Sequence, residues 1–302
     1  MTTAAATAPH PERSKVRKFL SLVMIEHSVF ALPFAYIAAL TAMWRQTGTV
    51  HWRQLVLITV AMVSARTVAM SANRILDRSF DALNPRTATR ELVTGELSVR
   101  SAWVGTLIAG AIFLGSAAAL SWLCLALAPA AVFLLVLYSY GKRFTDFPQV
   151  LLAVAQFVAP VGAWIAVDGH ATWAATALGV AVGTWIGGFD LIYSCQDAEI
   201  DRRIGSRSFP ARFGIPAALT ASAVVHAVTF ASFVWFGVAA GLHWPWWTGI
   251  ALTGVVLGYE HRIVTPTDLS RVNRAFFTAN GVIGIGLFGF ALLDLVTHGL
   301  GG

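Results

Sequence analysis

Residues 54–81 read QLVLITVAMVSARTVAMSANRILDRSFD. The run is long and apolar enough to cross a bilayer, since about 20 apolar residues span the hydrocarbon core. Only Arg66 interrupts it before three oxygen-bearing side chains follow: Asn73, Asp77 and Asp81. Their spacing of i, i+4, i+8 places them on one face if the helix continues out of the membrane. A membrane helix that ends in an acidic stripe is therefore the unit from which the rest of the chain is read.

The whole chain carries the same apolar signature. Of 302 residues, 57% are hydrophobic and only 12% charged, where a soluble domain carries about 25% charge. With a mean hydropathy of +0.68, a soluble globular protein is excluded. Span-length runs fall at 19–44, 54–76, 101–119, 120–138, 148–167, 171–193, 216–240, 245–260 and 273–296. They predict an all-α polytopic membrane protein of nine transmembrane helices. Residues 1–18 are expected to form a disordered cytoplasmic tail and 19–302 a single transmembrane domain.

Positive loops stay cytoplasmic. With the N-terminus inside, all of the 21 Lys and Arg residues except Arg45, Arg53 and Arg66 fall on the cytoplasmic side. The reading is an integral protein of a bacterial-type inner or plasma membrane, with its C-terminus outside. The formal charge of +6 then belongs to loops facing a lipid surface, not to a nucleic-acid interface. Cys124 and Cys195 are the only cysteines, too few for a disulfide framework or a cysteine-based zinc site.

A second acidic stretch follows the sixth run. Residues 190–214 read DLIYSCQDAEIDRRIGSRSFPARFG, with Asp190, Tyr193, Asp197 and Asp201 at i, i+3, i+7, i+11 and again one helical stripe. Its likeness to the first stretch suggests an internal repeat. Clustered carboxylates repel one another unless a cation neutralises them, and hard oxygen donors suit magnesium. That ion is usually held by one or two carboxylates together with substrate phosphate oxygens. A phosphorylated substrate is thereby implied. Arg74, Arg78, Lys142, Arg143, Arg202 and Arg203 are placed to contact its phosphates. Glu199 lies off the stripe and reads as solvated.

NRILDRSFD resembles the NxxxDxxxD motif, and DLIYSCQDAEID the DxxYxxxDxxxD motif, of the UbiA superfamily of intramembrane aromatic prenyltransferases. The resemblance runs from about Phe19 to the last span. It implies nine helices around a central cavity, capped on the cytoplasmic side by the motif loops, and two magnesium ions bridging a polyprenyl diphosphate. Asp77, Asp81, Asp197 and Asp201 would hold the metal, with Asn73 and Asp190 as further ligands or orienters. Lys142, in YSYGKRFTDFPQ, would meet the diphosphate, and Arg143 either the diphosphate or an acceptor carboxylate. Tyr193 is a motif position facing the allylic cation, with Tyr138 and Tyr140 as secondary candidates.

Acceptor recognition is expected from ionisable residues inside the spans, which are costly in lipid and so read as functional. These are Glu26 and His27 in the first span and Arg66 in the second. EHSVFALPF, DALNPRTATRELVTGELS and GFDLIYSCQD…SFPARFG are similar to the 4-hydroxybenzoate polyprenyltransferase-like group, which includes members of the futalosine route to menaquinone. The acceptor this resemblance implies is a small aromatic acid, a 1,4-dihydroxynaphthoate on the way to menaquinone rather than 4-hydroxybenzoate itself, with 4-hydroxybenzoate on the way to ubiquinone as the other aromatic carboxylate. Ether-lipid, haem, chlorophyll and phosphoribosyl acceptors share the diphosphate half of such a site. A membrane transporter, from a different class, would use the intramembrane charges to line a pathway. A CDP-alcohol phosphotransferase would need its aspartates within one segment, which this chain lacks.

Overall fold

The computed structural model describes residues 14–23, 32–275 and 280–301, and these are all-helical apart from loops and an isolated bridge between Thr265 and Asp268. A short helix α1 (Lys15–Leu22) is followed by α2 (Leu32–Gln46) and α3 (Trp52–Leu76). Two single turns, α4 (Arg78–Asp81) and α5 (Glu91–Thr94), lead to α6 (Val99–Leu120), α7 (Trp122–Phe144), α8 (Pro148–Asp168) and α9 (Trp173–Ser194). After α10 (Ala198–Ile204) and α11 (Phe209–Phe213) come α12 (Ile215–Ala240), α13 (Trp244–Ile263), α14 (Val272–Arg274) and α15 (Asn280–Thr297). Seven described helices are long and apolar enough to cross a membrane: α3, α6, α7, α8, the α9 segment, α12 and α15. The first expected span, 19–44, takes in the end of α1 and most of α2, with 24–31 outside the described residues, and α1 makes Lys15–Lys18 helical where a disordered tail was expected. The eighth coincides with α13, of 20 residues.

Local chemistry sets the boundaries. Ser98, Ser121 and Thr172 cap α6, α7 and α9 by accepting from Ser101, Cys124 and Ala175 N–H, and proline opens α8, α12 and α13. A side-chain oxygen satisfies an otherwise orphaned donor, and proline gives up an N–H that the first turn would not use.

The core lies along α9, where 67% of the apolar window is buried, against 11% for α7. α9 therefore runs through the centre and α7 along the periphery. Phe34, Trp185, Phe233 and Trp246 are all but inaccessible, and Phe34 packs on Trp185 and Phe233 at ring separations of 5.0 and 5.9 Å. Gly183 lets α8 approach α9, because a Cβ there would sit 2.5 Å from the Ala153 carbonyl oxygen. Close backbone approach at small residues is how helices associate where lipid removes the hydrophobic drive.

The bundle has two distinct ends. Trp52, Trp122, Trp173 and Trp244 open α3, α7, α9 and α13 at one end, and each is more than 60% exposed. Such rings mark a membrane interface. Both acidic motifs lie at the other end, after α3 and α9. The architecture is that of an integral membrane protein with its charged chemistry gathered at one mouth.

Candidate active site

Helix α3 stops one residue before Asp77, but its winding carries on. Asp77 N–H donates to the Asn73 carbonyl and Asp81 N–H to the Asp77 carbonyl, each at 2.8 Å. Asn73 Nδ2 donates to Asp77 Oδ2 at 3.1 Å, so the expected face forms. The last turn of α7 then supplies counter-charge. Arg143 Nη1 donates to Asp77 Oδ1 at 3.2 Å, its Nη2 donates to the Leu76 carbonyl, and Lys142 Nζ lies 3.8 Å from Asp77 Oδ2. The Arg143 guanidinium is stacked between the Phe80 and Tyr140 rings, 5.1 and 5.2 Å from their centroids. Asp81 pairs with Arg90.

The second motif is not one continuous helix. A 3₁₀ turn over Cys195–Asp197 separates α9 from α10. α10 ends at Gly205, whose φ of +73° is the left-handed C-cap conformation that glycine adopts without penalty. The tighter turn still leaves Tyr193 and Asp197 on one partner. Arg86 Nε donates to Asp197 Oδ1 at 3.0 Å, its Nη2 pairs with Asp197 Oδ2, and its Nη1 donates to the Tyr193 hydroxyl at 3.0 Å. Burial works against the Arg86 cation, but its hydrogen bond to Asp197 and the charges of Asp197, Tyr193 and Asp81 together outweigh that and hold the guanidinium above its ordinary range. Asn84 Nδ2 adds a 3.1 Å bond to Asp197 Oδ1. Ser208 Oγ donates to Asp201 Oδ2 at 2.8 Å.

The two motifs thus meet. Asn84 and Arg86, on the continuation of the first, grip a carboxylate of the second. Lys142 lies at their junction: it faces Asp77, is within electrostatic reach of Asp190, Asp197 and Asp201, and its carbonyl accepts from Arg207 N–H at 3.0 Å. Gln149 lies beside Asp190 and donates to Ser194 Oγ at 3.2 Å.

The other expected cations bond elsewhere. Arg74 Nε reaches the Leu22 carbonyl at 3.4 Å, Arg78 Nε the Leu92 carbonyl at 2.8 Å and Arg202 Nε the Ala211 carbonyl at 2.9 Å. Arg203 pairs with Glu199 on the exposed side of α10. The carboxylates are matched instead by Arg86 and Arg90, with Asn84 and Ser208, none of which the motif spacing singled out. For Asn84, Arg86 and Arg90 the signal lay in NPRTATR, where polar residues follow the first stripe at loop spacing. Glu26 and His27 lie outside the described residues.

Below the carboxylates, α3, α6, α7 and α8 enclose a cavity of about 290 Å³, almost wholly apolar but for Arg66, Tyr138 and Gln156. Tyr138 is within electrostatic reach of Arg66, Asp77 and Asp190, so the cavity runs up to the charged mouth. The Arg66 Nε is buried without a hydrogen-bond partner, and no described carboxylate pairs with this guanidinium.

Residues 31–282 match the UbiA prenyltransferase family. The chain belongs to that family. Like other UbiA members it is an enzyme, a prenyltransferase, and the transporter alternative falls with that assignment. It is 34% identical over 254 residues to a 4-hydroxybenzoate octaprenyltransferase of Xanthomonas campestris pv. campestris strain B100, covering 82% of each chain. A UbiA homologue from Aeropyrum pernix K1, solved in its apo form, is 30% identical with a TM-score of 0.78, over 91% of this chain and 98% of that one. The fold is also that of a UbiA homologue from Archaeoglobus fulgidus solved with DMAPP and Mg2+, at 21% identity and a TM-score of 0.71, over 92% of this chain and 99% of that one.

Proposed function

We propose that this UbiA enzyme transfers a polyprenyl group from a polyprenyl diphosphate to an aromatic carboxylate acceptor of the 4-hydroxybenzoate class, as a step in quinone biosynthesis. Nine membrane helices, with the N-terminus and both motifs cytoplasmic and residues 19–302 forming one domain, complete the reading. The observation that carries it is the junction at Lys142, where the carboxylates of both motifs face one another across a set of basic side chains.

The donor set fits magnesium: Asp77, Asp81, Asp197 and Asp201, with Asn73 and Asp190 beside them, are hard oxygen ligands. The ion, as a pair in this reading, would supply neutralisation of charge on the leaving diphosphate. The protein's own residues supply the rest. Lys142, Arg143, Arg86 and Arg90 each face one of these carboxylates. They are long enough to turn from it to a diphosphate oxygen as the acidic groups take up metal. Lys142, with 45% of its side chain exposed, is the most accessible of the four. The allylic C–O bond then breaks with the electron pair on the diphosphate. The acceptor ring attacks the allylic carbon, and the ring proton passes to a base, Glu26 or His27 in this reading, as the new C–C bond is completed. Tyr193 and Tyr138 offer aromatic faces to the cation, and the apolar cavity excludes water.

Arg66 supports the acidic acceptor. A guanidinium with no carboxylate partner among the described residues is costly in an apolar chamber, and a substrate carboxylate would offset that cost while pointing the ring towards the diphosphate. Glu26 and His27 are proposed to serve the acceptor as well. A 1,4-dihydroxynaphthoate acceptor is the second reading, carried by the resemblance to a group that includes members of the futalosine route.

The test is mass spectrometry of products from purified enzyme given both aromatic acids and prenyl diphosphates of several lengths. Prenylated 4-hydroxybenzoate, lost on chelation and restored by Mg2+, supports the reading. Product from neither acid would overturn it. Product from the naphthoate alone would move the acceptor to the second reading.

A further inference from the structure

At the end of the bundle opposite the motifs, α13 begins against the close of α15, and three metal-ligating side chains converge there. Asp294 on α15 is fully buried, while His243 and His298 keep 43% and 28% of their side chains exposed. One ligand atom from each lies within 4.8 Å of the other two. We propose that His243, Asp294 and His298 form a binding site for a Zn2+-class divalent ion, separate from the site at the motif end. The cysteine count set aside only cysteine-based zinc, and imidazole with carboxylate is an equally suitable donor set for this ion.

Two distances carry the assignment. His243 Nδ1 and His298 Nδ1 stand 3.2 and 3.4 Å from the same oxygen, Asp294 Oδ1. Ligand atoms about 2.0–2.1 Å from a tetrahedral zinc are separated by roughly 3.3 Å, so both edges already have coordination length. The two rings are stacked at 3.7 Å and 7°; parallel planes cannot both contain one ion, so binding turns a partly exposed ring about its Cβ–Cγ bond to bring its lone pair onto the metal.

The second shell is also built. Asp294 Oδ2 accepts from His243 N–H at 2.8 Å and Trp246 N–H at 3.1 Å. This fixes the carboxylate and leaves Oδ1 towards the imidazoles, the kind of outer support that ligating carboxylates require. His298 Nδ1 also contacts the Asp294 carbonyl at 2.7 Å. Giving up that contact strands nothing, because the carbonyl still accepts from His298 N–H and Thr297 Oγ1, each at 3.1 Å. The exposed imidazoles provide an entry path, and the fourth position falls to water. Trp44 Nε1 donates to the His298 carbonyl at 3.0 Å, so a bound ion would tie α2, α13 and α15 together.

The experiment titrates Zn2+ alone against a chromophoric chelator. It uses full-length protein purified without a polyhistidine tag, stripped with EDTA and desalted. Because the motif carboxylates also bind cations, the reference is the Asp77→Asn/Asp197→Asn protein. One Zn2+ per chain should persist in it and be lost when His243→Ala and His298→Ala are added. Both substitutions leave Asp294 and its two backbone bonds in place, and the His243→Ala/His298→Ala protein alone should keep its prenyl transfer, which shows that it is folded. Asp294→Asn, which can still accept from the two N–H groups, should also lose the equivalent. Absence of a retained Zn2+ in the reference protein, or its survival in the double histidine variant, would overturn the site.

Discussion

The two ends of the bundle treat buried carboxylates in opposite ways. At the motif end, Asp77, Asp81 and Asp197 are matched by the long, partly exposed side chains of Lys142, Arg143, Arg90 and Arg86. At the other end, Asp294 is held by backbone N–H groups of α13 that cannot turn away. A partner on a flexible stem can exchange a carboxylate for an incoming anion, whereas a backbone partner fixes the carboxylate permanently. The first arrangement suits a site that must rearrange when substrate arrives, and the second suits a joint between helices.

The strongest way to break this comparison is to remove charge from the exchangeable end. Asp77→Asn and Asp197→Asn should each lower turnover by about 10²–10³-fold, the scale on which a positioned electrostatic group contributes at a reacting centre. Both proteins should elute as wild type on size exclusion, since the amide retains the shape of the carboxylate. Full activity in both would remove the metal role from these residues.

Arg66 tests whether the chamber below the mouth holds the acceptor. A bond to a charged group contributes about 1.5–3 kcal/mol, so Arg66→Gln should lower kcat/KM for the aromatic acid by roughly 10–100-fold. The KM for the prenyl diphosphate should change little. Equal losses for both substrates would place Arg66 in the frame of the site rather than against the acceptor.

A smaller effect is expected at Arg86, which joins the two motifs. Arg86→Lys keeps the charge but loses the planar fork that reaches Asp197 through two nitrogens and Tyr193 through a third. Losing one such charged contact suggests a rise in diphosphate KM of about 10-fold, with acceptor KM unchanged. A wild-type diphosphate KM in this variant would show that charge alone suffices at this position.

The comparison also explains what could be read in the chain. Apolar runs marked the seven described helices of span length, and two acidic stripes marked the turns that carry Asp77, Asp81, Asp197 and Asp201, because both signals are local and periodic. Arg86 and Asn84 escaped because their partner, Asp197, lies more than 100 positions away, and spacing carries no information at that range. Arg74 and Arg78 looked equivalent to Lys142 and Arg143 by position, yet their place on the helix turns them towards Leu22 and Leu92. The spacing of the second stripe predicts one helix, and the 3₁₀ turn at Cys195–Asp197 carries no proline or glycine to announce it. Asp294 gave no signal at all, since a single acidic residue in an apolar run does not reveal which helix end it will cap.

The smallest effect on catalysis belongs to that residue. Asp294→Ala removes the acceptor for His243 N–H and Trp246 N–H at the start of α13, and loss of a capping side chain costs about 0.5–2 kcal/mol. The result should appear as a lower midpoint for heat-induced loss of monodisperse protein in detergent. The surviving fraction should retain wild-type turnover, because the cap lies at the opposite end from Asp77 and Asp197. Asp294→Asn should recover most of the midpoint, because an amide oxygen can accept the same two bonds. A fall in turnover per folded molecule in Asp294→Ala would mean that the fixed end communicates with the exchangeable one. The division between a rearranging mouth and a rigid joint would then have to be given up.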